Sequence, residues 1–135
     1  MIYQLHLNND VNEVGLLAEW LEQLGEEVGL GTEQVFQLNL ALEEAVVNVM
    51  NYAYPKQIGM PVDLEAEKVA DGVVFTLIDG GIAFDPLQVG DPDITLGAED
   101  RPIGGLGIFL VRQIMSDLSY ERVNDQNRFK MKFSI

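Results

Sequence analysis

The chain contains no cysteine. Disulfides, thiolate metal sites and cysteine nucleophiles are therefore excluded. Its one histidine, His6, excludes a multi-histidine metal site and argues against a serine–histidine triad. Positive charge is scarce: eight Lys+Arg stand against 22 Asp+Glu, a net charge of −14. Such a surface repels DNA and anionic lipid, so no nucleic-acid partner is expected. A small anionic ligand would need a local positive field, from backbone N–H groups at a helix start or from a metal ion. No apolar run approaches the roughly 18 residues of a transmembrane helix. The first residues lack the basic flank and apolar stretch of a signal peptide. The expectation is a cytoplasmic protein with no membrane partner.

What is present reads as one globular domain over residues 1–135, with 47% apolar and 22% charged residues. A chain of this size buries about two thirds of its unfolded surface, enough for a core without staples.

Residues 2–8 alternate, with Tyr3, Leu5 and Leu7 against Gln4, His6 and Asn8, which predicts a half-buried strand. Asp10 followed by Glu13 has capping-box spacing. Val14, Leu17, Leu21 and Leu24 follow helical spacing beside Trp20, and Gly29 and Gly31 end that helix. Thr32 can cap a second helix that runs through Leu38, Leu42, Val46 and Val49 to about Tyr54, where Pro55 stops it. Alternation returns at Val62, Asp71-Gly72 signals a hairpin turn, and the apolar run Val73 to Ile78 predicts a central strand.

From Asp79 to about Ile103 no period survives, and Gly80, Gly81, Pro86, Gly90, Pro92, Gly97 and Pro102 punctuate the segment. Irregular stretches this long in a small domain are usually functional. A helix follows from Gly104 through Leu106, Phe109, Leu110 and Ile114 to about Asp117. Leu118–Val123 and Phe129–Ile135 form a closing hairpin, with Phe129, Met131, Phe133 and Ile135 facing in. The expected fold is α+β: a two-layer sandwich of a mostly antiparallel mixed sheet with three helices on one face.

Three places break the pattern. The second helix is apolar on more than one face, yet Glu44, Asn48 and Asn51 stack at i, i+4 and i+7 into one polar stripe. That stripe either meets solvent or lines a wet pocket. Asp79 ends an apolar strand and precedes Gly80-Gly81, where a short acceptor either starts a turn or holds a ligand donor. Gly104-Gly105-Leu106-Gly107 opens a helix, where glycine lets backbone approach a ligand and free N–H groups attract phosphate. No Lys-Ser/Thr follows, so this is not a P-loop, and the third glycine of a dinucleotide fingerprint is missing.

In this order the parts resemble the GHKL (Bergerat-fold) ATPase superfamily, and most of all its small anti-sigma-factor serine/threonine kinases. Leu42-Glu43-Glu44-Ala45-Val46-Val47-Asn48 matches the N-box, Asp79-Gly80-Gly81-Ile82-Ala83-Phe84-Asp85-Pro86 the G1-box, and Gly104-Gly105-Leu106-Gly107-Ile108-Phe109-Leu110-Val111 the G2-box. The resemblance implies ATP or ADP as ligand, Glu44 as catalytic base and Asn48 as a Mg²⁺ ligand, with Asn51 beside them. It implies that Asp79 reads the adenine amino group, that Gly81 makes a close approach, and that Ala83 and Phe84 lie at the nucleotide. The backbone of Gly104 and of Gly105, Leu106, Gly107 and Ile108 would contact phosphate, under a lid of about 80–103. Arg101 in that lid is a candidate γ-phosphate contact or a solvated loop arginine.

Two departures stand out: Ala83 replaces a usual second glycine, and Tyr52 stands where histidine is frequent. The implied activity is phosphorylation of an anti-sigma-factor antagonist on Ser or Thr, with a sigma factor as second partner. The alternative is a nucleotide-binding regulatory module without phosphotransfer, and a third reading is an interaction domain with a vestigial pocket. Small kinases of this kind often form homodimers, with the first strand and helix as candidate surfaces.

Overall fold

The computed structural model of the protein describes residues 2–54, 59–88 and 105–135, with backbone alone at Val11, Gln88 and Leu106. Five strands form one sheet in the order β1-β2-β3-β5-β4: β1 (Ile2–Asn8), β2 (Pro61–Val69), β3 (Gly72–Asp79), β4 (Asp117–Val123) and β5 (Gln126–Ser134). Among the described residues all four pairings are antiparallel, where a mostly antiparallel mixed sheet was expected. Helices α1 (Gly15–Val28), α2 (Thr32–Tyr52) and α3 (Gly105–Ile114) pack over one face of it. Among the described residues no helix is long and apolar enough to cross a membrane.

The core follows from the two periods. Leu17, Leu21 and Leu24 of α1, Leu38, Leu42 and Val46 of α2, and Val111 of α3 are buried against Leu64, Phe75, Leu77 and Met131 of the sheet. Each buried leucine of this kind contributes about 1.5–3 kcal/mol. Trp20 packs edge-on to Phe75, with ring centroids 6.4 Å apart.

Several boundaries differ from the sequence reading, each for a local reason. Asp10 caps a 3-10 turn at Val11–Glu13 by accepting the Asn12 N–H at 2.9 Å, and α1 starts later, at Gly15. Gly31, not Thr32, is the N-cap of α2, and Gln34 Oε1 accepts its N–H at 2.9 Å. α2 ends at Tyr52, and Pro55 lies outside the described residues. α3 ends at Ile114 because the Ser116 N–H turns to the Lys132 carbonyl, so sheet pairing replaces the helix. Gly72 is not a turn residue: it opens β3, opposite Val69. A Cβ there would stand 2.2 Å from the Phe133 carbonyl oxygen, so close strand approach demands glycine. Ile135 lies one residue past β5 and is 54% exposed, so it does not join the core.

The other face of the sheet is open and carries charge in bands. Asp63, Glu65 and Glu67 follow β2, and Arg128, Lys130 and Lys132 follow β5. These charges largely satisfy one another or their neighbours. His6 Nδ1 lies 2.5 Å from Asp63 Oδ1, Arg128 lies 3.9 Å from Glu65, and Lys132 lies 2.9 Å from Asp71.

Candidate functional site

The polar stripe of α2 runs from closed to open surroundings. Glu44 is half-buried, Asn48 is 4% exposed, and Asn51 faces solvent. At 1.5 Å per residue, Asn48 lies about 7.5 Å before Ala53 along the helix axis and Glu44 about 13.5 Å before it. Ala53 is the C-cap of α2, and there the helix meets the segment that follows β3. The Ile82 N–H donates to the Ala53 carbonyl at 2.9 Å.

Gly81 makes a close approach, but within the protein. A Cβ at position 81 would lie 2.2 Å from the Ala53 carbonyl oxygen, so no larger residue fits without moving the helix end. Tyr54 locks the same junction, accepting the Gly80 N–H at 2.7 Å and donating to the Pro61 carbonyl at 2.9 Å. Burial raises the Tyr54 hydroxyl above its ordinary range, which keeps it a neutral donor. Tyr52 stacks on Phe84 with centroids 5.2 Å apart, so the tyrosine in the usual histidine position anchors the root of the expected lid.

Asp79 is the central acid. It is 3% exposed, and Oδ1 accepts from the Gly81 N–H at 2.9 Å and from Asn127 Nδ2 at 2.9 Å. Among the described residues, Oδ2 accepts no hydrogen bond. Burial raises the Asp79 pKa, while the Asn127 and Gly81 donors and the Arg122 guanidinium pull the other way. A buried carboxylate oxygen without a donor costs free energy, and a ligand N–H would relieve it.

The segment leaving Asp79 is tied down as far as position 88. Arg122 Nη1 donates to the Gly81 carbonyl at 3.0 Å, and Asn127 binds the Ile82 carbonyl and the Phe84 N–H. Asp85 Oδ1 accepts the Leu87 N–H at 2.8 Å above the 3-10 turn Pro86–Gln88, and Arg112 of α3 reaches the Leu87 carbonyl at 3.0 Å. Ala83 has no left-handed φ, so it carries none of the strain that glycine would relieve. Arg101 and Gly104 lie outside the described residues, as does most of the expected lid.

Gly105, Leu106, Gly107 and Ile108 form the first turn of α3, and α3 packs on α2. A helix leaves its first-turn N–H groups without intrahelical acceptors, and its dipole favours an anion there. The side chain of Ile108 is buried in the core, so only its backbone can face a ligand.

Sequence reasoning missed Asn127. It occupies the inward register of β5 two residues before Phe129, is 3% exposed, and pairs with Asp79 across β3 and β5. Two signals could have found it despite the surrounding polar run: the alternation of Phe129, Met131 and Phe133 extended back by one step, and Asn124-Asp125 as a tight turn. Both turn residues have positive φ, 52° and 61°, as a two-residue hairpin loop requires.

A shallow depression of about 390 Å³ on the open sheet face is lined by Gln4, His6, Asp63, Glu65 and Arg128 among others. It is remote from the stripe of α2, because it lies on the opposite side of the sheet. Among the described residues no group of three His, Asp or Glu could hold a metal. Any metal here would rest on one or two protein oxygens together with ligand oxygens.

Comparison with known proteins agrees with the fold. The profile of the histidine kinase-like ATPase domain matches residues 7–133. The serine/threonine-protein kinase BtrW of Bordetella bronchiseptica is 28% identical over 112 residues, 83% of this chain and 79% of that protein. The serine-protein kinase RsbW of Bacillus cereus is 24% identical over 109 residues, 78% of this chain and 68% of that protein. RsbW of Listeria monocytogenes is 28% identical over 102 residues, 73% of this chain and 65% of that protein. Among solved structures, the histidine kinase AdeS of Acinetobacter baumannii aligns with a TM-score of 0.53 at 12% identity. The match covers 96% of this chain and 67% of that one, and it bears on the fold alone. With its fold, its acid-and-amide helix and the buried Asp79 in place, the chain belongs to the histidine kinase-like ATPase domain family.

Proposed function

We propose that this protein binds Mg-ATP between α2, the segment after β3 and the first turn of α3, and transfers the γ-phosphoryl group to a serine or threonine of a partner protein. The observation that carries the reading is Asp79: a buried carboxylate with one oxygen committed to the fold and the other without a donor among the described residues. The exocyclic amino group of adenine supplies the missing N–H. The first-turn N–H groups of α3 supply the positive field that a chain of net charge −14 lacks elsewhere.

Mg²⁺ fits the donor set. It takes oxygen ligands, keeps several waters and needs few protein groups, so the Asn48 amide oxygen with phosphate oxygens is adequate. When bound it offsets charge on the phosphates. Glu44, one helical turn before Asn48, takes the proton of the attacking hydroxyl. The hydroxyl oxygen bonds to the γ-phosphorus, the bond to the β–γ bridging oxygen breaks, and ADP leaves. By the resemblance, residues of about 80–103 would be the lid and Arg101 a candidate contact for the terminal phosphate; Arg101 and most of that segment lie outside the described residues.

The likeness to RsbW and BtrW, both described as serine or serine/threonine kinases, supports a protein substrate. By the resemblance of this chain's sequence motifs to the anti-sigma-factor kinases, the substrate would be an anti-sigma-factor antagonist and the sequestered target a sigma factor. The test is transfer of labelled phosphate from ATP to a candidate antagonist. Glu44→Ala is expected to lower the transfer rate by about 10²–10⁴-fold, the usual contribution of a positioned base, with ATP affinity retained. Transfer at the wild-type rate by that variant would remove Glu44 as base. Nucleotide binding with no transfer to any antagonist would leave a regulatory module in place of a kinase.

A further inference from the structure

The Asn127 side chain is used to capacity. Nδ2 donates to Asp79 Oδ1 at 2.9 Å and to the Ile82 carbonyl at 2.8 Å. Oδ1 accepts from the Phe84 N–H at 3.2 Å, the Tyr120 hydroxyl at 2.5 Å and Arg122 Nη1 at 3.1 Å. Acceptors surround one end of the amide and donors the other, so its orientation is fixed by its partners. A carboxylate of the same shape has no N–H for Asp79 or Ile82. A hydroxyl has a single proton and a shorter reach. Only a carboxamide of this length meets both sets.

The contacts join two parts of the site. Through Nδ2, Asn127 donates to the acid expected to read the base. Through Ile82 and Phe84 it brackets Ala83 and pins the segment that leads outward from that acid. Arg122 reinforces both, bonding the Gly81 carbonyl as well as Asn127.

We infer that Asn127 is the positioning residue of the base-recognition site: it keeps Asp79 an acceptor and makes the Gly81–Phe84 segment one hydrogen-bonded unit with it. This rests on the nucleotide reading above. Recognition of a donor on the ligand and the shape of the lid root are then set together, by a β5 side chain held from β4.

Among the described residues, the charged and titratable groups around Asp79 are few. Arg122 of β4 faces it, Tyr54 beyond α2 senses it, and Asp63 of β2 acts on Tyr54. Tyr120 of β4 stands behind Asn127, Asp85 caps the Leu87 turn, and Arg112 of α3 reaches Leu87.

The test is Mg-ADP affinity measured by calorimetry from acid to mildly alkaline pH. Wild-type affinity is expected to fall on the acid side as Asp79 takes a proton. Asn127→Ala is expected to move that fall to higher pH. Within the falling limb, affinity should then drop about tenfold for each pH unit by which the fall has moved. Arg122→Ala, at an exposed position, is expected to act in the same direction and serves if the Asn127 variant does not fold. Asn127→Asp is expected to move the fall to higher pH as well, because a carboxylate facing Asp79 disfavours its charged form where the amide donor favoured it.

Amide exchange at Phe84 is expected to quicken in Asn127→Ala. A wild-type protein that binds nucleotide while every folded variant keeps its pH profile overturns the inference. A wild-type protein that binds no nucleotide overturns instead the reading on which it rests.

Discussion

Tyr54 and Gly80 share the hydrogen bond that ties the end of α2 to the segment after β3. The Gly80 N–H donates to the Tyr54 hydroxyl at 2.7 Å, and the hydroxyl donates on to the Pro61 carbonyl at 2.9 Å. One side chain therefore holds α2, β2 and the expected nucleotide loop in register. Glu44 and Asn48 on the helix and Asp79 on the strand keep their relative positions through that junction.

Tyr54→Phe keeps the buried ring and removes the hydroxyl, leaving one donor and one acceptor without partners. The expected loss of stability is about 1–3 kcal/mol. Urea unfolding checks it: the midpoint should fall while the slope stays constant, because the surface exposed on unfolding is unchanged. An unmoved midpoint would contradict the role given to the hydroxyl.

Gly81→Ala places a methyl 2.2 Å from the Ala53 carbonyl oxygen. The helix end or the loop must move, at a cost of about 1–3 kcal/mol typical of an overpacked position. Because Asp79 Oδ1 accepts the Gly81 N–H, the same displacement should weaken nucleotide affinity. Unfolding and binding measured on one preparation would show both losses, whereas wild-type values for both would sink the prediction.

Asp79 carries a raised pKa through burial. For such an acid, the stabilising contribution is complete below the unfolded pKa and is lost as pH rises through the folded one. Asp79→Asn removes the buried charge and should leave the ligand-free protein more stable than wild type at neutral pH. The gain is on the order of 1 kcal/mol for every tenfold by which the fold tightens the acid's hold on its proton. The advantage should shrink on acidification and vanish below the unfolded carboxylate range. The same variant presents an N–H where an acceptor is needed, so nucleotide binding should be lost. A variant less stable than wild type at neutral pH would reverse the sign of this argument.

Legibility in the sequence depended on how cleanly a residue broke the local period. Glu44 and Asn48 stood out because they fall on one stripe in the apolar second half of α2, although solvent exposure alone could also place them there. Asp79 stood out because it ends a largely apolar strand, broken only by Thr76, and precedes two glycines. Asn127 did not, because Gln126, Asn127 and Arg128 form a polar run that hides the alternation of β5. The close packing that demands Gly72 and Gly81 arises between segments distant in the chain, at Phe133 and Ala53, so no local pattern announces it. The stacking of Tyr52 on Phe84 is hidden for the same reason.

The most direct measurement is a thermal unfolding scan with and without Mg-ADP, run beside Asp79→Ala. The account predicts a melting temperature that climbs with nucleotide concentration in the wild type and stays flat in the variant. At a ligand concentration 100-fold above Kd the stabilisation should be about 2.7 kcal/mol. A wild-type protein that melts at the same temperature at every Mg-ADP concentration would contradict it.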